Sequence, residues 1–306
     1  MDFMTVANQM LSLFIIMIIG YVMYRVKIID DAATVRYTRL VLNISLPAQI
    51  ITSFVENRGV VSNGVVLAVF GISFLVYVIS ALVGVLFIFV TRAPKEERGT
   101  YLFMCLFGNV GFMGFPVIVT IFGDSALIYA VIFNVIFNIL VYSLGIALIG
   151  GGKGGFQFQP KRLLNIPFIA AIISVLLFFA GVSLPRVLVT SLNYLGNLTT
   201  PVAMLILGAT IASMPIRELF DDWRVYVFTL FRLGVIPLAV MVLLRALNIS
   251  TPEITGIMIV LAAMPVATNT TMLAIEYGGN LRLASKGIFF STILSVITIP
   301  VVAMLC

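Results

Sequence analysis

The chain has 306 residues, 61% hydrophobic and only 10% charged, where soluble domains run near 25% charged. That composition excludes a solvated globular domain. The net charge of +6 needs no nucleic acid to explain it, because the basic residues flank apolar runs, where an anionic lipid leaflet attracts them. Cys105 and Cys306 match no metal or lipidation pattern, and there is no histidine. The expected partner is the lipid bilayer.

Ten apolar runs follow one another, at roughly 4–24, 36–55, 63–90, 100–122, 125–149, 163–181, 188–212, 224–247, 253–275 and 284–305. Each is about as long as the hydrocarbon core is thick. They predict an all-α polytopic membrane protein with ten transmembrane helices. The first span has no Lys or Arg before it and Arg25 and Lys27 after it, so it is not read as a cleavable signal peptide. Loops 1–2, 3–4, 5–6, 7–8 and 9–10 hold most of the basic residues, among them Arg92, Lys95, Arg98, Arg224, Arg282 and Lys286. The other side holds Arg58, Arg186 and Arg245. The positive-inside rule then places both termini outside a plasma (inner) membrane.

Span 2 carries Asn43-Ile44-Ser45-Leu46-Pro47 and span 7 carries Asn197-Leu198-Thr199-Thr200-Pro201, 154 residues apart. Pro116 and Pro265 are 149 apart, and Gly123 and Gly279 are 156 apart. Landmarks in one order at nearly one offset predict an internal repeat. Five spans per repeat force the second copy to enter the membrane upside down, the inverted plan of secondary transporters. The expected organisation is a first repeat over 1–150, a cytoplasmic linker over 151–162 and a second, inverted repeat over 163–306. The glycine-rich stretch around Lys153 lacks phosphate-loop spacing and reads as that linker.

Gly108-Asn109-Val110-Gly111-Phe112-Met113-Gly114-Phe115-Pro116 sits within span 4. Three glycines and a proline oppose an unbroken helix, at about 1 and 3 kcal/mol per interior residue. Irregular backbone survives in a membrane only where protein or a water-filled cavity surrounds it. A second break is predicted in span 9 over Ala263–Thr271. Paired interrupted spans point to a transporter's binding site. The first half-helix of span 4 is expected to end near Gly108 and the second to begin near Pro116. Free N–H groups at such starts favour anions. The predicted substrate-binding residues are therefore Gly108, Asn109, Gly111, Gly114 and Pro116 in the first break, and Pro265, Thr268, Asn269 and Thr270 in the second. Asn109 either meets a carboxylate or satisfies the broken backbone.

Asn43 in span 2 joins this set. So do Asn134 and Asn138, which share a face of span 5 and either line the crossing or bond between helices. Ser291 and Ser295 occupy the related places in span 10 and read as packing. Arg232 is the one cation well inside a span, and a mid-membrane arginine needs a partner. Either the substrate carboxylate or carbonyls freed near Gly234 and Pro237 would serve.

Gly108-Asn109-Val110-Gly111, Gly114-Phe115-Pro116, Gly123-Asp124-Ser125-Ala126 and Asn43…Pro47 resemble the auxin efflux carrier family, and the likeness runs the full length of the chain. The short loop at 150–162 resembles its bacterial members. The resemblance implies the bile-acid/auxin-type transporter fold. Helices 1, 2, 6 and 7 would form a scaffold, and 3–5 and 8–10 a transport domain in which helices 4 and 9 break and cross. It also implies a small organic anion as substrate, such as a dicarboxylate or an auxin-like carboxylate, and a homodimer through the scaffold.

All twelve acidic residues lie in loops or at span ends. A proton antiporter built on buried carboxylates needs an acid at the midplane, so two coupling modes remain. One is uniport, with the membrane potential expelling the anion at about 2.3 kcal/mol per charge per 100 mV. The other is symport of a sodium ion held by neutral oxygens, and no other cofactor or metal is expected. A transporter-like receptor would bind without flux. An enzyme would need a nucleophile, base or metal ligand that this chain lacks. A channel would need the charged rings it also lacks.

Overall fold

The computed structural model describes residues 3–56, 62–150, 165–213 and 222–306. The glycine-rich linker predicted over 151–162 lies outside the described residues. The described chain is helical, with a single isolated β-bridge. In chain order the helices are α1 (Phe3–Arg25), α2 (Asp31–Glu56), α3 (Asn63–Thr91), α4 (Lys95–Leu106), α5 (Val110–Phe122), α6 (Asp124–Ile149) and α7 (Ile166–Ala180). They continue with α8 (Arg186–Ser213), α9 (Trp223–Leu247), α10 (Pro252–Ala262), α11 (Thr270–Tyr277) and α12 (Leu281–Leu305). By length and composition, six helices can cross a membrane: α2, α3 from Gly64, α6, α8, α9 and α12. Shorter apolar helices run over Leu11–Arg25, Val110–Phe122, Ile166–Ala180 and Pro252–Ala262.

Polar side chains start many of these helices. Asp30, Ser62, Asn165, Asp222, Thr251 and Asn280 each accept a backbone N–H of the first turn. Such caps contribute about 1 kcal/mol each. Pro167 and Pro252 stand in first turns, where a missing N–H costs little.

Three interior prolines are handled differently. Pro47, Pro116 and Pro237 each lie two residues beyond a five-residue π turn, at Val41–Ser45, Val110–Gly114 and Phe231–Val235. Proline cannot donate to the carbonyl four residues back and its ring crowds that carbonyl. Shifting the preceding turn to i→i+5 bonding absorbs the defect. A fourth π turn, Val141–Gly145, lies in α6.

Packing divides the helices into two sets. α1 lies along α8, and α2 packs on α7 and α8. A Cβ at Gly208 would overlap the Met17 carbonyl and one at Gly20 the Leu205 backbone, so α1 and α8 touch backbone to backbone. Small residues at a crossing permit this in membranes. In the second set α3 packs on α4 and α6, and α9 on α10 and α12. Phe87, Tyr101, Phe228 and Phe231 stack where α3, α4 and α9 meet, with centroids 4.9–5.8 Å apart. The seam between the sets runs where α2 and α7 face α6, where α1 and α8 face α5, and where α1 faces α12.

Candidate functional site

Two chain breaks meet at the centre of the second set. α4 ends at Leu106 and α5 begins at Val110; α10 ends at Ala262 and α11 begins at Thr270. Gly108 and Val266 form an antiparallel bridge. Asn109 N donates to Pro265 O at 2.7 Å, and Ala267 N donates to Phe107 O at 3.0 Å. Each break thus satisfies the backbone of the other, the condition for irregular chain away from water. Other groups of the breaks are met within the break or by α12. Met113 N and Gly114 N donate to Asn109 O at 3.2 and 2.9 Å, and Thr270 Oγ1 donates to Ala267 O at 2.6 Å. Val266 N donates to Ser291 Oγ at 3.0 Å, and that hydroxyl donates onward to Gly287 O at 2.6 Å.

The first break is shorter than its sequence predicts. The chain resumes helix at Val110, not near Pro116, because the π turn over Val110–Gly114 accommodates the proline inside α5. At the far end of the second broken span Gly278 is left-handed (φ 72°).

Beside the crossing, on the seam between the two helix sets, lies a cavity of about 260 Å³. Of the residues singled out from sequence, Asn43, Gly108, Asn109, Gly111, Asn134, Asn138, Thr268 and Asn269 line it. Gly114, Pro116, Pro265, Thr270 and Arg232 do not. Gly114, Pro116 and Pro265 are buried in the crossing itself, and the Thr270 hydroxyl donates back to Ala267 O in the break. Sequence reasoning missed Asn165, Tyr142 and an apolar wall that includes Phe112, Phe137 and Met272. Asn165 carried a signal, a cap residue followed by a proline two positions on, but it reads as a helix start and nothing more.

The lining side chains include no charged group among the described residues. Asn138 Nδ2 donates to Asn134 O at 2.7 Å, and its Oδ1 accepts from Asn165 Nδ2 at 3.3 Å. The Asn138 amide is thus held at both its ends. By contrast, Asn109 Nδ2 and Asn269 Oδ1 are buried without a hydrogen-bond partner. An unmet buried amide group costs about 1–3 kcal/mol, so a ligand that meets both is favoured. The starts of α5 and α11 bring their partial positive charge to the same place.

Arg232 is 2% exposed. Its Nη1 donates to Ala262 O at 3.0 Å, the last carbonyl of α10. This corrects the expected partners near Gly234 and Pro237. The π turn at Phe231–Val235 uses its own carbonyls, as when Ile236 N donates to Phe231 O, so the guanidinium reaches across to the neighbouring helix end.

The membrane transport protein family matches residues 5–303, nearly the whole chain. The chain belongs to this family. The auxin efflux carrier resemblance read from the first break agrees with it. An uncharacterized transporter from Methanocaldococcus jannaschii is 26% identical over 301 residues, covering 95% of this chain and 96% of that protein. An uncharacterized transporter from Methanothermobacter thermautotrophicus is 28% identical over 318 residues, covering 98% of each. A Rhizobium meliloti protein whose name proposes malonate transport is 24% identical over 232 residues, covering 73% of this chain and 72% of that one. The chain is a multi-pass membrane protein of a transporter family and not an enzyme.

Proposed function

We propose that the chain is a secondary active transporter that exports a small organic anion, such as a dicarboxylate or an auxin-like carboxylate, by an elevator-type cycle. The observation that carries this reading is the crossing: two broken helices pair backbone to backbone and leave Asn109 Nδ2 and Asn269 Oδ1 unmet beside one cavity. Asn109 donates to a carboxylate oxygen, the start of α5 stabilises its charge, and Asn269 accepts from a hydroxyl or water on the substrate.

In this reading the chain crosses the membrane ten times as two inverted five-helix repeats, 1–150 and 163–306, with both termini outside the plasma membrane. α1, α2, α7 and α8 form the scaffold, through which two copies pair. α3–α6 and α9–α12 move with the substrate. The position of the cavity on the seam between these sets supports that division. The described lining offers no carboxylate to carry a proton, which supports uniport, with the membrane potential expelling the anion, over proton coupling; symport of a sodium ion held by neutral oxygens is the alternative.

Charge movement in reconstituted liposomes tests the reading. Concentration jumps of malonate, malate and indole acetate, each with and without sodium, are expected to give a saturable negative current without sodium. A current only with sodium replaces uniport by symport. Binding without flux makes the protein a receptor. No response to any anion, from folded protein, overturns the anion reading.

A further inference from the structure

The guanidinium of Arg232 and the cavity share one wall, Gly108. Gly108 lines the cavity, and a Cβ added to it would overlap Arg232 Nη2. The charge therefore lies one glycine away from the site without opening into it. Arg232 has no carboxylate partner among the described residues; its ionisable neighbours are the Tyr77 phenol and the Cys105 thiol. Its Nε is buried and unbonded, and its Nη1 donates to the Ala262 carbonyl. An arginine stays protonated in proteins, and a buried, unpaired charge in apolar surroundings is costly. Among the described residues the cavity has no charged lining group to offset it.

We propose that Arg232 is the fixed counter-charge of the site, a positioning residue that selects for a negative substrate through Gly108 without touching it. This rests on the anion reading above and adds the source of its charge selectivity. It accounts for a glycine at the wall, since any side chain there would displace the guanidinium. It also accounts for a binding cavity made only of amides, hydroxyls and apolar groups: the cation stands behind the backbone, where a substrate cannot form a tight ion pair that would slow its release.

The test is a pair of variants read against matched charged and neutral probes. Arg232→Gln removes the charge; Arg232→Lys keeps it and loses the planar fork. Binding of indole acetate, indole acetamide, malonate and malonamide is measured on purified protein by calorimetry, with thermal unfolding to establish folding. Arg232→Gln is expected to weaken the anions about tenfold or more, as one unscreened charge at close range predicts, and to leave the neutral amides as in the parent. Arg232→Lys is expected to stay within about threefold of the parent for the anions, a change worth less than the lost charge. Equal losses in Gln and Lys, or equal losses of anions and amides in Gln, overturn the proposal and leave Arg232 as a cap for α10. A parent protein that binds neither anion sinks the anion reading itself, and this proposal with it.

Discussion

The two breaks do the same job by different means. The first spans only Phe107–Asn109 and is built on glycine. Gly108 lets Arg232 press against the backbone, and Gly111 faces open space at the cavity. The second spans Ala263–Asn269 and is held by hydroxyls: Thr270 on Ala267 O, Thr271 on Thr268 O at 3.2 Å, and Ser291 from α12 on Val266 N. A break made by removing side chains is compact and local. A break made by adding hydrogen-bond partners is longer and borrows from another helix.

The largest expected effect comes from filling the glycine wall. Gly108→Val drives a branched side chain into Arg232 and Met264, whose Cβ lies 3.3 Å from the position of an added Cβ. Overpacking there is expected to cost about 3 kcal/mol or more, seen as a large drop in the midpoint of thermal unfolding. A Gly108→Val protein as stable as its parent would mean that close approach does not define the first break.

Ser291→Ala attacks the second break from its borrowed side. It strands the buried Val266 N–H, at about 1–3 kcal/mol, and thermal unfolding should report the loss. Hydrogen exchange is expected to rise first around Val266 and not around Gly108. Equal loosening of both breaks would erase the contrast between them.

Asn109→Ala separates binding from stability. Its Nδ2 makes no hydrogen bond within the protein, so unfolding should hardly change. Affinity for the transported anion should fall about tenfold, the worth of one charge-assisted hydrogen bond. An unfolding loss as large as that of Ser291→Ala would assign Asn109 to the backbone instead.

Gly111→Ala has the smallest expected effect. No atom lies within 4 Å of the added methyl, and alanine favours helix over glycine by up to about 1 kcal/mol. Stability should hold or rise slightly while the cavity shrinks, weakening binding about threefold, or roughly 0.7 kcal/mol. Calorimetry on the variant beside Gly108→Val distinguishes a glycine that faces ligand from one that faces protein.

Much of this was legible in the chain because membranes make composition speak. Apolar runs, the Gly-Asn-x-Gly break and the conflict of Pro116 with a continuous helix are local properties, readable without neighbours. That is why eight of the thirteen residues singled out from sequence line the cavity. The π turns before Pro47, Pro116 and Pro237 were within reach too, since each answers a defect one turn away.

What local reading could not supply was pairing. Ser291 reads as packing from sequence because its partner, Val266 N, lies in the second break, away from its own helix. For Arg232 the sequence offered the substrate carboxylate or carbonyls of its own helix, but not Ala262 O, which is set by how α9 lies against α10. Asn165 joined the site only when α7 came to rest beside α6. Sequence alone determined an apolar, helical chain with two weak points in its helices, because bilayer solvation and backbone strain act residue by residue. Tertiary structure alone decided that the two weak points mend each other at Gly108 and Val266, and that one buried cation stands behind them. Those are contacts between residues more than a hundred positions apart, and no local preference encodes them.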